Sequence, residues 1–425
     1  MNTDKRVLNH CTLLDEEGDF HFNKTLIISN GIIERITDEF FEGEDCSGLI
    51  ISPGLVNCHT HAAMNIFKGI AEDVHIDAWF NEEIWPYESK MEENDVRVGT
   101  KLAIAEMLNN GVIAYADHYF SPQSIIDAVN ETHIKADIAI TLFSQFPGYE
   151  EQLKQAVNLI QNNKHEKIHL RLGPHSPYTC SIESLYEMSE WAKKLNCGLH
   201  LHVSETQRQV DDSLNLHQKT PLQVVYETGC LEVPCIIGHG LYIHPNEKKY
   251  LSKDTLIALS PKTYQKLAMG TGYLWDNLDD IHYGIGTDGA ASSNTLSPIE
   301  QARTLALLHK HEKNDSTVSN VKSIWKLLMN GHKALPFNSG QLKVGYSADL
   351  VFWDLNRVNT SPLYNPLASI IYSSDASNIK AVMINGEYVK EDYHLKLDEE
   401  SLLNEVQKCV SQLLERGKGK AKIEF

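Results

Sequence analysis

The stretch Pro53-Gly54-Leu55-Val56-Asn57-Cys58-His59-Thr60-His61 decides the interpretation of this 425-residue chain. An apolar run that ends in two histidines predicts a buried β-strand with polar side chains at its carboxyl end. Because successive side chains of a strand point to opposite faces, His59 and His61 share one face. Two imidazoles placed side by side are a candidate metal site, although ordinary polar residues at a strand end would also explain the pair.

Seven further segments have the same character and alternate with stretches of helical periodicity. This alternation predicts an α/β protein with a (β/α)8 TIM-type barrel, for which roughly 250 residues are typical. A doubly wound open sheet is the alternative, but no Gly-x-Gly-x-x-Gly motif opens a first helix. The eight predicted strands are Gly54–His61, Val112–His118, Asp137–Leu142, Lys167–His175, Gly198–Ser204, Pro234–Gly240, Thr255–Ser260 and His282–Asp288.

Both ends of the chain read as β structure and are expected to meet. Near each end, runs of β-branched residues adjoin an Asn-Gly dipeptide, Asn30-Gly31 and Asn385-Gly386, which is a strong signal for a hairpin turn. We therefore predict a barrel of residues 54–341 and one small β-sandwich domain built from residues 1–53 and 342–425. The second part ends in a helix over Leu397–Leu414, and the basic stretch Arg416-Gly-Lys-Gly-Lys that follows is expected to be frayed.

Composition and charge exclude several classes of protein. Lys and Arg number 38 against 57 Asp and Glu, and the resulting net charge of −19 argues against nucleic-acid or anionic-membrane partners. No apolar run approaches the roughly 18 residues of a membrane span, and the first residues lack the apolar core of a secretory signal. Eight cysteines without a Cys-x-x-Cys pair indicate reduced thiols. We expect a cytoplasmic protein that acts on a small molecule.

Two further His-x-His pairs occur among the 20 histidines, and their contexts separate them. His200 and His202 lie on the fifth predicted strand. His202 is nearer the strand end and is the better ligand, whereas His200 is expected one layer deeper as a hydrogen-bonded residue. His309 and His311 lie in a predicted helix, where two residues span about 200° of rotation, so they cannot share a metal.

Polar residues close several strands, and in a barrel these carboxyl ends form the mouth of the active site. Histidine and carboxylate ligands with an open position suit one Lewis-acidic divalent ion, Zn²⁺ most simply, while Fe²⁺ or Mn²⁺ also accept such ligands. The end of strand four offers no lysine that could bridge two metals, which favours a single ion. The strand-end residues are His59, His61, His175, His202, His239 and Asp288.

Further motifs accompany these residues along nearly the whole chain: Ile84–Glu88, Gly173–Ser181, His202–Thr206, Gly286–Asn294 and Gly340–Val351. Together with Pro53–Met64 they resemble the amidohydrolase superfamily, in its chlorohydrolase and cytosine deaminase branch. Within it they are most similar to the 5′-methylthioadenosine/S-adenosylhomocysteine deaminases. The resemblance implies a barrel with a β domain, hydrolytic deamination of an amino-heterocycle, and a homodimer.

The resemblance also implies a role for each residue of the site. Asp288 would take a proton from the attacking water, Glu205 would carry it to the ring nitrogen, and His239 would stabilise the adduct at the C–NH2 carbon before ammonia leaves. Glu88 would bind the ribose hydroxyls, and His175 and Trp85 would contact the substrate. The metal ligands would be His59, His61, His202 and Asp288.

Two departures from the family pattern bear on the substrate. Members that act on S-adenosylhomocysteine are expected to hold its carboxylate with arginines in the loop after strand three, but Phe143–Glu151 contains none. That substrate is therefore in doubt unless another subunit supplies an arginine. In Ser260–Ala268, Tyr264 replaces a smaller asparagine and would reshape the pocket.

Other functions remain open at this point. The same metal site would serve hydrolysis of another heterocycle, such as guanine, cytosine, a pterin or a triazine. A metal-binding protein without catalysis, or an inactive scaffold with an acidic surface, would belong to a different class. Glu205 favours an enzyme, because a protein that only binds metal has no use for an acid just beyond the ligands.

Overall fold

The computed structural model describes residues 5–420, with the side chain of Asp77 excepted. This part of the chain forms two sheets and the helices around them. In chain order its strands are β1 Lys5–Leu14, β2 Phe20–Ser29, β3 Ile32–Thr37, β4 Glu44–Asp45, β5 Ile50–Pro53, β6 Leu55–Thr60, β7 Val112–Tyr119, β8 Lys135–Leu142, β9 Ile168–Pro174, β10 Leu199–Val203, β11 Cys235–His239, β12 Thr255–Leu259, β13 Tyr283–Ile285, β14 Leu350–Trp353, β15 Ile379–Ile384, β16 Glu387–Glu391 and β17 His394–Leu395.

Helices occupy most of the connections between these strands. Several begin at a short polar side chain that accepts a backbone N–H of the first turn, as Ser181 accepts from Ser184 at 3.2 Å. The helices are α1 Ile76–Ala78, α2 Trp85–Glu88, α3 Glu93–Asn109, α4 Pro122–Thr132, α5 Tyr149–Asn162, α6 Ile182–Leu195, α7 Gln207–His217, α8 Pro221–Glu227, α9 Pro261–Lys266, α10 Leu274–Asn277, α11 Ala290–Ser293, α12 Pro298–Lys313, α13 Val321–Asn330, α14 Pro366–Tyr372 and α15 Glu399–Arg416.

Strands β6 to β13 form an eight-stranded parallel sheet in which each strand pairs with the next in sequence. The chain after β13 returns to β6 and nearly closes the sheet into a barrel. The backbone N–H groups of Thr287 and Asp288 both donate to the carbonyl oxygen of His59, at 2.9 and 3.0 Å. The Asn57 amide also donates to the Thr287 hydroxyl at 2.7 Å. The predicted (β/α)8 barrel is confirmed.

The two chain ends form one mixed sheet, in the order β17-β16-β15-β14-β5-β1-β2-β3 with β4 beside β1. Strand β14 pairs antiparallel with β5, so that Leu350 lies opposite Pro53 and Trp353 opposite Ile50. The sheet encloses an apolar core of its own. The prediction that the ends build one β domain is confirmed. Members of that core include Leu8, Leu13, Leu26, Ile28, Ile51, Leu350, Phe352 and Met383.

The two predicted Asn-Gly turns meet each other in this domain. A Cβ placed on Gly31 would lie 2.6 Å from the carbonyl oxygen of Asn385, so the approach of the two turns requires glycine there. Gly31 also adopts a φ of +76°, a conformation that residues with a Cβ rarely take. The β2–β3 hairpin and the β15–β16 hairpin are therefore packed turn to turn.

All eight cysteines are free and buried. Within the described range, the helices lack the combination of length and apolar character that crossing a bilayer requires.

For the C-terminal stretch, the predicted helix is confirmed but the predicted fraying after it is wrong. The helix is present as α15. The stretch 416–420 at and after the end of this helix is not frayed, because Arg416, Gly417, Gly419 and Lys420 each contact the body of the protein. Residues 421–425 lie outside the described part of the chain.

Candidate active site

The candidate site lies at the carboxyl ends of the barrel strands. His59 is on β6, His61 follows it directly, His202 is on β10, His239 ends β11 and Asp288 follows β13. One ligand atom from each of His59, His61 and His202 lies within 4.8 Å of the others. The same limit holds among ligand atoms of His59, His239 and Asp288. The fold therefore brings the predicted ligands into one cluster.

Three residues at these strand ends adopt left-handed backbone conformations that favour glycine. The φ angles are +50° for Ser204, +73° for His239 and +59° for Asp288. Such conformations carry strain in residues with a Cβ and are concentrated at functional sites. At His239 and Asp288 the strained backbone supports two side chains of the cluster.

His59 is oriented by His200. The two imidazoles share a hydrogen bond of 2.8 Å between Nδ1 of His59 and Nε2 of His200. His59 Nε2 is buried and has no hydrogen-bond partner. Burial lowers the pKa of the His59 imidazole well below its ordinary value, which keeps the ring neutral. His200 is itself fully buried, so the sequence-based prediction of a hydrogen-bonded residue one layer deeper is confirmed.

His61 and His202 are each oriented by a backbone carbonyl. Nδ1 of His61 donates to the carbonyl oxygen of His118 at 2.7 Å, and Nδ1 of His202 donates to that of His175 at 2.9 Å. Because a carbonyl can only accept, the proton of each neutral ring is on Nδ1 and the lone pair is on Nε2. The two Nε2 atoms face each other at 3.4 Å.

Asp288 completes the cluster. Its Oδ1 lies 3.2 Å from Nε2 of His61 and 3.8 Å from Nε2 of His59, while its Oδ2 accepts a hydrogen bond from Ser292 at 2.8 Å. Burial opposes the charged form of Asp288, but His61 and its other neighbours outweigh this and hold the pKa well below the usual range. Burial likewise opposes protonation of His61, yet Asp288 raises its pKa to about 9. The site thus favours a positive charge between these two residues.

The residues present fit a divalent cation. Three imidazoles present Nε2 atoms, and a carboxylate faces the same space. The unpartnered Nε2 of His59 would be a costly buried polar atom unless a ligand satisfied it. The partners on Nδ1 of His59, His61 and His202 are the outer hydrogen bonds that metal-binding histidines require.

Glu205 lies at the rim of this cluster and is held by its own neighbours. Its Oε1 is 3.6 Å from Nε2 of His239, and its Oε2 accepts hydrogen bonds from Gln209 at 3.2 Å and from Tyr178 at 3.5 Å. Gln209 belongs to the capping box with which Thr206 begins α7. The start of the helix therefore fixes a carboxylate beside the ligands.

Two of the three residues predicted to contact substrate lie beside the cluster: the ring centroid of His175 is 4.8 Å from that of His202, and Glu88 is linked to His61 through Tyr119. Glu88 is buried, its Oε1 accepts a hydrogen bond from Tyr119 at 2.7 Å, and burial raises its pKa. The ring of His175 stacks on Phe143 with centroids 4.6 Å apart. Trp85 is the most open of the three predicted residues, with 40% of its surface exposed beside Phe80.

One histidine of the site was not singled out from the sequence. His118 is 1% exposed, its ring centroid is 4.9 Å from that of His202, and its Nε2 is buried without a partner. Because it ends the second predicted strand, it could have been recognised from the sequence as a strand-end residue, but it belongs to no His-x-His pair. Tyr264 is buried against His239 at 5.7 Å, and its hydroxyl accepts a hydrogen bond from the Ser260 N–H at 2.8 Å.

His309 and His311 lie apart from the site on α12, as predicted. The ring of His309 stacks on Trp275 at 4.8 Å and shares a hydrogen bond of 2.8 Å with Ser319. His311 is exposed. Neither residue belongs to the cluster.

Comparison with known proteins agrees with this arrangement. The model of the Amidohydrolase family matches residues 50–389. The chain belongs to the amidohydrolase family. The match includes every residue of the cluster, the whole barrel sheet and strands β5, β14 and β15 of the second sheet, so the resemblance seen in the sequence motifs is confirmed.

Members of this family cover the chain almost completely. A 5-methylthioadenosine/S-adenosylhomocysteine deaminase from Dictyoglomus turgidum is 34% identical over 424 residues, which are 97% of this chain and 100% of the relative. A 5′-deoxyadenosine deaminase from Methanosphaera stadtmanae is 33% identical and covers 92% of this chain and 95% of its own. The crystal structure of an adenosine deaminase from Xanthomonas campestris with bound zinc has a TM-score of 0.91 at 26% identity, covering 96% and 98%.

Proposed function

We propose that this protein is a metal-dependent hydrolytic deaminase of adenosine-like nucleosides, acting on the C–NH2 carbon of the purine with release of ammonia. The observation that carries the proposal is the carboxylate of Glu205, fixed 3.6 Å from His239 at the edge of a cluster suited to a cation. The similarity to deaminases over more than nine-tenths of the chain supports the substrate class.

One divalent ion would be held by His59, His61, His202 and Asp288. Zinc is supported by the solved adenosine deaminase that carries it, and Fe²⁺ or Mn²⁺ would accept the same nitrogen and oxygen donors. When bound, the ion would supply Lewis-acid activation of water near neutral pH. The chain itself sets the tautomers of the histidines, because His118 and His175 offer carbonyl oxygens to the Nδ1 protons.

Proton transfer is assigned to two carboxylates. Asp288 is kept ionised by its surroundings, and Ser292 holds its Oδ2, so its Oδ1, which faces the cluster, would accept a proton from the attacking water. Glu205 would deliver a proton to the ring nitrogen, which makes the carbon a better electrophile and aids the loss of ammonia. His239 would donate a hydrogen bond to the charge that develops in the tetrahedral adduct.

Substrate binding is assigned to Glu88, His175 and Trp85. The Glu88 carboxylate can accept hydrogen bonds from ribose hydroxyls while Tyr119 holds one of its oxygens. His175 presents a ring already stacked on Phe143. Burial lowers the pKa of His175 to about 3, so this ring contacts the substrate in its neutral form.

The 5′ substituent of the best substrate is expected to be small and apolar. The loop that would clamp an amino-acid carboxylate contains Phe143 and Phe146, whose ring centroids are 5.6 Å apart, and no arginine. Such a surface favours 5′-methylthioadenosine or 5′-deoxyadenosine over S-adenosylhomocysteine, unless a second subunit supplies the missing cation. We also propose a cytoplasmic homodimer whose barrel spans residues 54–341 and whose β domain combines residues 1–53 and 342–425.

A substrate panel tests the proposal. Metal content would be measured on the purified protein, and ammonia release would be assayed with 5′-methylthioadenosine, 5′-deoxyadenosine, adenosine, S-adenosylhomocysteine, guanine and cytosine. We expect one metal ion per chain, turnover of the nucleosides, and loss of turnover after chelation with recovery on adding Zn²⁺. Activity confined to guanine or cytosine would contradict the nucleoside assignment. Silence on all six compounds would contradict the substrate class.

A further inference from the structure

The tail Gly417-Lys418-Gly419-Lys420, which follows Arg416 at the end of α15, lies against the segment that carries two of the proposed substrate residues. We propose that this tail is a positioning element of the substrate site, which holds α2 in the place that lets Glu88 and Trp85 meet a nucleoside. The inference rests on the proposed function for the roles of Glu88 and Trp85. The contacts of the tail stand independently of those roles.

The tail starts from a buried anchor at the beginning of α3. Arg416 donates a hydrogen bond to Asp95, which is only 2% exposed. Asp95 also accepts the backbone N–H of Glu92 at 2.7 Å and the thiol of Cys409 at 3.0 Å. One buried carboxylate therefore joins the start of α3 to α15, and it sets the direction in which the chain leaves the helix.

The two glycines of the tail are required by Tyr87. A Cβ on Gly417 would lie 2.5 Å from an atom of the Tyr87 ring, and one on Gly419 would lie 2.3 Å from another. The Tyr87 hydroxyl donates to the carbonyl oxygen of Gly419 at 3.4 Å, and Tyr87 is only 4% exposed. The Gly-Lys-Gly spacing thus lets the backbone lie directly on the aromatic ring.

The last described residue fastens the tail to the segment before α2. The backbone N–H of Lys420 donates to the carbonyl oxygen of Glu82 at 3.2 Å, and its ammonium pairs with the Glu82 carboxylate at 2.5 Å. Glu82 lies in the π-helical turn Trp79–Ile84, which leads directly into Trp85. The tail therefore contacts the chain on both sides of that tryptophan.

The tail reaches the substrate site through adjacent residues of α2. Tyr87 faces the tail, whereas Glu88 faces Tyr119, which donates to it at 2.7 Å. The Tyr119 ring lies 6.3 Å from that of His61, a residue of the cluster. A shift of Tyr87 would displace the carboxylate proposed to hold the ribose, without touching any ligand of the cation.

The test compares two shortened chains, one ending at Arg416 and one ending at Lys420. The chain ending at Arg416 lacks the tail, whereas the chain ending at Lys420 keeps every described contact and is the matched control. For the shorter chain we expect KM for 5′-methylthioadenosine to rise about tenfold while kcat changes by less than about twofold. Amide hydrogen exchange over residues 79–88 should become faster, and the metal content should equal that of the control.

A point variant of the full chain gives a second measurement. Gly419→Val places a side chain where the Tyr87 ring lies, so it should reproduce the rise in KM and the faster exchange. Lys418→Ala is its matched control, because Lys418 lies between the two glycines with an exposed side chain. The control should leave both quantities unchanged.

The outcomes separate this proposal from the proposed function. Unchanged KM in both altered chains would overturn the positioning role, and so would unchanged exchange over residues 79–88. A fall in kcat without a rise in KM, in both the chain ending at Arg416 and Gly419→Val, would also overturn it, since that would indicate general damage to the enzyme. If the full chain released no ammonia from any nucleoside, the proposed function would fail, while the exchange rates would still decide whether the tail holds α2.

Discussion

His59 depends on a neighbour that lies beneath it in the barrel. Its Nδ1 shares a hydrogen bond of 2.8 Å with His200, and this contact fixes both the ring orientation and the position of the lone pair on Nε2. Hydrogen-bond partners of this kind raise the metal affinity of a ligating histidine by a large factor, because a ring that is free to rotate loses entropy when it binds the metal. His200 therefore acts on the cation site without touching it.

The variant His200→Leu should weaken metal binding by about ten- to a hundredfold while the protein stays folded. Leucine fills much of the buried volume but offers no partner to His59. Affinity would be measured by competition with a chromophoric chelator. His311→Gln is the matched control, since His311 is an exposed histidine on α12. Equal affinity of His200→Leu and the wild type would contradict this role.

At the scale of single residues, the sequence was most informative where spacing alone fixes geometry. His59 and His61 share a face because side chains alternate along a strand, and this needed no knowledge of neighbouring strands. His118 could not be singled out, because its closeness to His202 depends on how strands far apart in sequence are arranged. The hydrogen bond between Tyr119 and Glu88 has the same dependence on tertiary structure.

Among the elements, β8 and β9 are joined by a buried ion pair at the end of the barrel opposite the site. Nε of Arg171 donates to both oxygens of Asp137, at 2.8 and 2.7 Å. The same guanidinium donates to the carbonyl oxygens of Pro234 at 3.1 Å and Ala334 at 2.6 Å. One side chain thus ties two strands to the start of β11 and to the chain after α13.

Arg171→Met should lower the free energy of unfolding by about 3–5 kcal/mol, because it leaves the Asp137 carboxylate buried without its principal partner. Urea denaturation would measure the loss. Arg97→Met breaks the more open pair with Glu131 and should cost less than about 1 kcal/mol. Losses of the same size in the two variants would contradict the account of Arg171.

The pattern of elements was predictable because each strand is a short apolar run between helical stretches. All eight predicted barrel strands are present, with bounds that differ by a few residues. The ion pair of Asp137 and Arg171 was not predicted, because charged residues inside apolar runs carry no local signal of a partner. The prediction that the tail is frayed was wrong for a related reason. Glycine and lysine suggest disorder locally, whereas the Tyr87 ring explains the two glycines and Glu82 holds Lys420.

At the scale of the whole molecule, buried polar groups join the barrel to the β domain. Lys135 of β8 pairs with Asp349, which immediately precedes β14, at 2.5 Å. Nearby, His332 shares hydrogen bonds with the Gly54 carbonyl oxygen at 2.8 Å and with the Ser339 hydroxyl at 3.0 Å. Gly54 lies between β5 of the second sheet and β6 of the barrel, so His332 braces the junction of the two.

This junction predicts a dependence of stability on pH. Burial lowers the pKa of His332 to about 4, whereas an unfolded histidine titrates near 6.5. Between these values the unfolded chain binds a proton that the folded chain does not, so stability falls as the pH falls. Between pH 7 and pH 5 the wild type should lose about 2 kcal/mol more than His332→Gln, measured by urea denaturation at each pH. Parallel pH profiles for the two proteins would contradict this.

The central claim, that the chain supplies its own acid beside a cation site to deaminate a nucleoside, is tested most directly at Glu205. Ammonia release from 5′-methylthioadenosine and metal content would be measured for the wild type, for Glu205→Gln, and for Glu312→Gln as the control with an exposed carboxylate. We predict that Glu205→Gln keeps its metal and loses at least about a hundredfold in kcat, while the control equals the wild type. Turnover of Glu205→Gln within about twofold of the wild type would contradict the account.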